Sequence, residues 1–189
     1  MPRVGLTTAV VVETAAQMLD ERDGEGVNVA SLAERLGVKP PSLYKHVDGM
    51  PGLRRGVMLR AKAELAEALG RAAIGKARDD AVRSAAMAYR EWATAHPAQY
   101  RMAMRAPVSG DHEDEDVSAT LVEVLYTILS GYRIAEEDLV DAARFFRATL
   151  HGFVDLETTG AFQLPRSLER SYERSIASLT SALHSWGEP

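Results

Sequence analysis

Residues 32–47, LAERLGVKPPSLYKHV, constrain this chain more than any other stretch. They read as two short helices joined by a tight turn. Helices that cross closely need a small residue on the first, and Ala33 supplies it. Four residues later the backbone must turn sharply, which Gly37 does without a Cβ clash. Leu32, Leu36, Val38, Leu43 and Val47 fall where such a pair buries apolar side chains. With that face inward, Lys39, Ser42 and Lys45 point outward near the start of the second helix, where side chains reach base edges in a major groove. Tyr44 and His46 flank them and suit phosphate oxygens, as do backbone N–H groups near Val29 and Pro41 at the helix starts. The pattern predicts a helix-turn-helix that binds double-stranded DNA. A plain helical hairpin with a glycine turn accounts for Ala33 and Gly37, but not for them together with the apolar offsets, Tyr44 and His46.

Charge supports that reading locally. The chain carries a net charge of −5, which argues against non-specific coating of nucleic acid. Residues 1–60 nevertheless hold eight Lys/Arg, including Arg3 and Arg22, against seven Asp/Glu, including Asp23. From Arg35 to Arg60 the only acidic residue is Asp48, so a locally basic surface is expected. The chain has no cysteine, which excludes disulfides, iron–sulfur clusters and thiolate zinc sites and fits a reducing, cytoplasmic setting. No signal peptide is expected, and no run approaches the ~20 apolar residues that a membrane span requires. The acidic run at residues 111–116, DHEDED, reads as a solvated loop, with a cation site as the alternative.

Strand patterns are nearly absent and helical spacing is almost continuous, so an all-α fold of about nine helices is expected. The first runs over 7–21 and is closed by Gly24 and Gly26. Asn28 is a good N-cap for the second, 29–36. Pro40 and Pro41 belong in the first turn of the third, which ends near Val47. Residues 48–52 read as a turn. Further helices are expected over 53–69, 79–95, 98–104, 117–130, 136–158 and 168–186, with 107–116 as a polar loop. The domain boundary is placed at residues 55/56, giving a three-helix DNA-binding domain over 1–55 and a larger helical domain over 56–189.

The string Leu-Ala-x-x-Leu-Gly-Val-x-x-x-Ser-Leu-Tyr-x-His-Val resembles the DNA-binding domain of the tetracycline-repressor family over about residues 5–60. A shorter stretch, Leu150-His151-Gly152-Phe153-Val154-Asp155-Leu156-Glu157, resembles one subgroup of that family's C-terminal domains. The resemblance implies a homodimeric regulator that releases DNA when a small molecule binds the C-terminal domain. It places Ser42 and Lys45 on bases and Tyr44 and His46 on phosphates. Lys39 and Pro41 join them as DNA-binding candidates. Many members carry a lysine where this chain has Met50, so either that phosphate contact is lost or Arg54 or Arg55 replaces it. Ala30 stands where some members have a base-reading arginine, so DNA shape is expected to carry more of the specificity.

A ligand pocket in such a domain is apolar with a few polar groups between helices. The candidates are Met87, Trp92, Tyr100, Met104, Leu125, Phe146 and His151, each of which is equally at home in a helical core. His151 and Asp155 lie four apart on one helix face. That spacing suits an interhelical histidine, a ligand-sensing one, or part of a metal or acid–base site; no third ligand is placed by sequence. Gly152, inside the same helix, costs about 1 kcal/mol relative to alanine and predicts close approach of another helix, in this subunit or a second one. Leu150, Phe153, Tyr172, Ile176, Leu179 and Leu183 form stripes that can pack on their own domain and are expected to pair across a twofold axis, with a monomer that buries both stripes internally as the alternative.

The chain is thus expected to be a dimeric transcriptional regulator, most readily a repressor, that binds a pseudo-palindromic operator and is released by a small apolar inducer. No catalytic residue, metal or cofactor is assigned. Two alternatives stay open: a small-molecule-binding helical protein with a vestigial N-terminal domain, and a regulator answering to a protein partner through residues 111–116.

Overall fold

A computed structural model describes residues 5–21 and 24–187, and among these no strand occurs. Arg3, Arg22 and Asp23, counted in the charge balance, lie outside the described residues. The elements are α1 (Thr8–Glu21), α2 (Val29–Leu36), a 3₁₀ segment (Pro40–Lys45), α3 (Gly49–Ala73), α4 (Arg78–Ala95), α5 (Pro97–Ala103), α6 (His112–Leu129), a 3₁₀ turn (Ser130–Tyr132), α7 (Glu136–Thr158) and α8 (Leu168–Trp186). The all-α class holds, and each expected helix has its counterpart.

Two helices begin earlier than their sequence pattern predicts. Residues 48–52 form the first turn of α3 rather than a loop. The Gly52 N–H donates to Asp48 O at 3.0 Å, and Pro51 falls where a missing N–H costs nothing. The acidic run likewise opens α6. The Asp111 carboxylate accepts from the Asp114 N–H at 3.3 Å, and Glu113, Asp114 and Glu115 complement the positive end of the helix dipole. The expectation of a solvated loop at 111–116 is therefore corrected, and Asp114 is fully buried.

Two apolar clusters share α3. Leu53 and Val57 pack with Val11, Ala15, Leu32 and Leu43 around the helix-turn-helix. Over the next three turns, Ala61, Leu65 and Leu69 join the larger cluster built by α4, α6, α7 and α8. A spacing of four keeps all five on one stripe of a single continuous helix. Gly56 lies between them because α1 crosses there: a Cβ would sit 2.7 Å from Val12 Cγ2.

Polar ties fix the larger bundle. Arg90 on α4 makes paired hydrogen bonds of 2.7 Å to Glu157 on α7 and reaches Glu169 on α8 at 3.0 Å. The Tyr172 hydroxyl donates to Ala86 O at 2.6 Å. Asp79 accepts from Tyr132 Oη at 2.7 Å and pairs with His184 at 2.8 Å. The expected dimer stripe is also used inside this bundle. Leu150, Tyr172, Ile176, Leu179 and Leu183 are each no more than 1 % exposed. Those five have no surface left for a second copy, because α4 and the facing sides of α7 and α8 already cover them. Phe153, the sixth, packs on Tyr172 and Phe162 of its own chain. No described helix is long and apolar enough to cross a membrane.

Candidate functional site

The helix-turn-helix is fixed by backbone chemistry at both ends of α2. The Asn28 carboxamide accepts from the Ser31 N–H at 3.0 Å, and Ser31 Oγ accepts from the Asn28 N–H at 3.1 Å, a reciprocal capping box. At the other end Gly37 takes φ +66°. There the Val38 N–H reaches Ala33 O at 3.0 Å and the Gly37 N–H reaches Glu34 O at 3.1 Å, closing the helix in a Schellman arrangement. Leu32 and Ala33 are buried against α1 and the following segment.

That segment, Pro40–Lys45, is a 3₁₀ helix where the sequence pattern suggests an α-helix. Pro40 and Pro41 contribute no N–H, and the Ser42 N–H turns to Lys39 O at 2.9 Å. A period of three has a consequence for the surface. Within the segment, positions three apart eclipse, which aligns Ser42 with Lys45; Lys39 precedes it in extended backbone and is exposed, while Leu43 is turned inward and buried. Pro41 and Tyr44 are exposed, Tyr44 by 60 %. His46 is half-buried, and its carbonyl accepts from Thr8 Oγ1 at 3.1 Å, which ties the segment's end to α1.

The basic candidates on α3 separate. Met50, in the position where a lysine was expected, is half-buried against the small core. Arg54 is exposed and lines a cavity of about 330 Å³ between α1, α3 and α5. Arg55 is held by Asp111 through hydrogen bonds of 2.6 Å each and by Glu113 at 2.8 Å. The Arg55 hydrogen bonds draw the Asp111 carboxyl down to about 2. Two turns further along α3, Lys62 is buried and forms an ion pair with buried Asp114, and it donates to Ser118 Oγ at 3.0 Å. Burial pushes the Asp114 carboxyl upward, but the Lys62 hydrogen bond, the Val108 N–H and the Lys62 charge together outweigh it and leave the group below its ordinary range. Both ion pairs join α3 to the first turn of α6. Sequence reading missed Lys62 and Asp114. A lysine on the Met58–Ala66 stripe of buried residues was the available signal; its partner, 52 positions away, was not.

The ligand-pocket candidates also divide. Tyr100 and Phe146 are core residues, each 1 % exposed, and Trp92 packs beside His96. Met87 lies at the surface, 36 % exposed. A buried polar chain runs from Tyr89 Oη to Tyr100 Oη at 2.8 Å and on to His151 Nδ1 at 2.6 Å. Burial pushes the Tyr89 hydroxyl up to about 12 and the Tyr100 hydroxyl higher still. His151 is therefore an interhelical partner. Among the described residues no group of three His, Cys, Asp or Glu side chains is placed to hold a metal ion. Met104 and Leu125 line a separate cavity of about 560 Å³ between α6 and α7, with Lys62 and residues of the α5–α6 connection also in its lining. Its size falls within the range of small-molecule sites.

Comparison with known proteins agrees with this geometry. Residues 82–179 match the family model described as tetracyclin repressor-like, C-terminal domain. The chain is 40% identical over 157 residues to the uncharacterized HTH-type transcriptional regulator Rv0681 of Mycobacterium tuberculosis, covering 82% of this chain and 72% of that protein. It is 32% identical over 184 residues to the uncharacterized HTH-type transcriptional regulator YobS of Bacillus subtilis, covering 96% and 95% of the two chains. The fold matches that of a TetR variant from Acinetobacter baumannii AYE, solved in complex with minocycline, with a TM-score of 0.72 at 19% identity over 97% of this chain and 99% of that one. The chain belongs to the tetracycline-repressor family of helix-turn-helix transcriptional regulators.

Proposed function

We propose that this regulator is a homodimeric repressor that holds a pseudo-palindromic operator through residues 39–46 and releases it when a small molecule enters the cavity between α6 and α7. The observation that carries the DNA half is that Lys39, Tyr44 and Lys45 are exposed around half-buried Ser42 on the short segment after the turn. Lys39 and Lys45 carry the charge that a phosphate backbone attracts, and Ser42 and Lys45 are the candidates for base contact. Arg54 is the remaining candidate on α3 for a phosphate, since Arg55 is already bound by two carboxylates.

A second copy of the chain fits the outward sides of α7 and α8. Gly152 has no atom within 4 Å of where a Cβ would lie, and Ala148, Ala177, Ser178 and Ser181 are exposed small residues on the same pair of helices. Backbones approach closely where such residues meet, and two α7–α8 pairs would form a four-helix interface. Release follows from the joints described above. A ligand that moves α6 against α7 moves the first turn of α6, and Arg55 and Lys62 carry that motion into α3 and the helix-turn-helix. The population then shifts to a separation of recognition segments that no longer fits the ~34 Å between successive major grooves. The Acinetobacter protein, solved with minocycline, supports a small-molecule ligand for a chain of this fold.

Control by a protein partner through the acidic run has less support, because Asp111 and Asp114 are engaged within the chain. The reading is tested by recovering the preferred duplex from random DNA with purified protein and repeating the titration with Lys45→Ala. A loss of at least about tenfold in affinity is expected from one contact to a base or phosphate. Unchanged affinity in Lys45→Ala would remove the segment from the interface.

A further inference from the structure

The cavity between α6 and α7 has an asymmetry of charge. Its walls are largely apolar, with Leu121, Val122, Leu125 and Val140 among them. Its charged lining consists of four cationic side chains, Lys62, Arg105, Arg144 and Arg147, and one carboxylate, Glu115. That carboxylate is already occupied: Oε1 accepts from the Gly110 N–H at 3.0 Å and Oε2 lies 3.3 Å from His112. Arg144 has Asp141 at 3.1 Å, on the outer surface. Arg147 donates to the Met104 carbonyl at 3.2 Å and, among the described residues, makes no ion pair. Lys62, also in the lining, is only 2 % exposed. Two of the three donors of its ammonium go to Asp114 and Ser118, and one remains.

We infer that the effector of this regulator is an amphipathic anion, a carboxylate-type head on an apolar body. The head sits among Arg147 and Lys62 and the body lies along Leu121, Leu125 and Val140. The inference rests on reading this cavity as the effector site and adds the chemical class of the ligand. A neutral apolar molecule fills the walls but gains nothing from Arg147, which is exposed and stays with water, and a cation meets net positive potential beside the arginines. An anion satisfies both. At Lys62 it takes the remaining donor, and its charge then lies close to that of Asp114 and repels it. Binding beside Lys62 therefore weakens the joint between α3 and α6, the contact through which the effector must act.

The test uses the full chain and three probes of equal chain length: decanoate, decanol and decyltrimethylammonium, each below its micellar concentration. Binding is read by calorimetry and by the shift in melting temperature. Decanoate is expected to bind at least about tenfold more tightly than either other probe, the difference made by one charge-assisted contact. Arg147→Gln should lower decanoate affinity about tenfold and leave decanol unchanged. Ala119→Trp, which fills the cavity from an exposed position, should abolish binding of decanoate. Equal affinity for decanol and decanoate overturns the anionic class while leaving the cavity as the effector site. Decanoate binding that survives Ala119→Trp places the anion elsewhere and overturns the inference, as does failure of decanoate to bind. Tight decanoate binding that leaves the operator complex intact would instead sink the release mechanism proposed above and leave the ligand class standing.

Discussion

At the scale of single residues, charged side chains tie α3 to the start of α6. Lys62 and Asp114 are both buried, so removing one partner leaves the other charge unpaired in a poorly hydrated place. Lys62→Met is expected to cost about 3–5 kcal/mol in chemical unfolding. Replacing both by Met and Leu should recover most of that loss. Asp111 makes a pH prediction. Its folded pKa of about 2 lies below the ordinary 3.8, so its pairing with Arg55 stabilises fully above pH 4 and is lost as pH falls through about 2. NMR titration of the Asp111 carboxyl should show that depressed value, and in Arg55→Gln the midpoint should return toward 3.8. A midpoint unmoved by the substitution would mean that another group sets it. These residues were the least legible in the sequence. Six polar residues in a row look solvated, and nothing local reveals that one of them reaches a lysine on a different helix. The helix-turn-helix residues were legible for the opposite reason. Ala33, Gly37 and Leu43 answer constraints that act within a few positions.

At the scale of elements, short-range chemistry and close crossings set the shape. The two prolines and the i→i+3 bond turn 40–45 into a 3₁₀ segment, which aligns its outward side chains. Helical periodicity alone does not distinguish 3.6 from 3.0 over six residues, and so the sequence suggested an α-helix. The early start of α6 escaped for a related reason: acidic residues favour both loops and helix N-termini, and the Asp111 cap decides between them. Gly56 on α3 is the point where α1 and α3 meet most tightly. Gly56→Ala adds helix propensity but forces Val12 aside, and the stiff β-branched side chain makes that costly. A net destabilisation of about 1–3 kcal/mol is expected in thermal or urea unfolding, with loss of DNA binding as α1 is displaced. A stabilised Gly56→Ala variant would show that the crossing has room. Gly37→Val should be comparably harmful, since a β-branched residue at φ +66° is strained by roughly 1–2 kcal/mol.

At the scale of the whole molecule, α3 is the member common to both cores, and residues from α1 and α6 brace it on either side. The apolar stripes of α7 and α8 were visible in the sequence, but their direction was not. A stripe shows that a face is covered without saying whether the cover comes from the same chain. Here α4 and the facing helices cover it, so the dimer proposed above rests on the small residues of the outer sides. Gly152→Arg and Ser178→Arg should shift sedimentation from dimer to monomer with little change in unfolding, because neither position is buried. A dimer undisturbed by both would place the interface on another face. A monomer should also bind DNA poorly, since one short segment offers few base contacts. The central claim, that this chain reads DNA sequence as a pair of recognition segments, is met most directly by titrating purified protein onto its selected duplex and onto a scrambled one at ~150 mM salt, where phosphate contacts alone bind weakly. The account predicts two protomers per duplex and a preference for the selected sequence of at least about 1,000-fold. Equal affinity for the two duplexes, or one protomer bound per site, would contradict it.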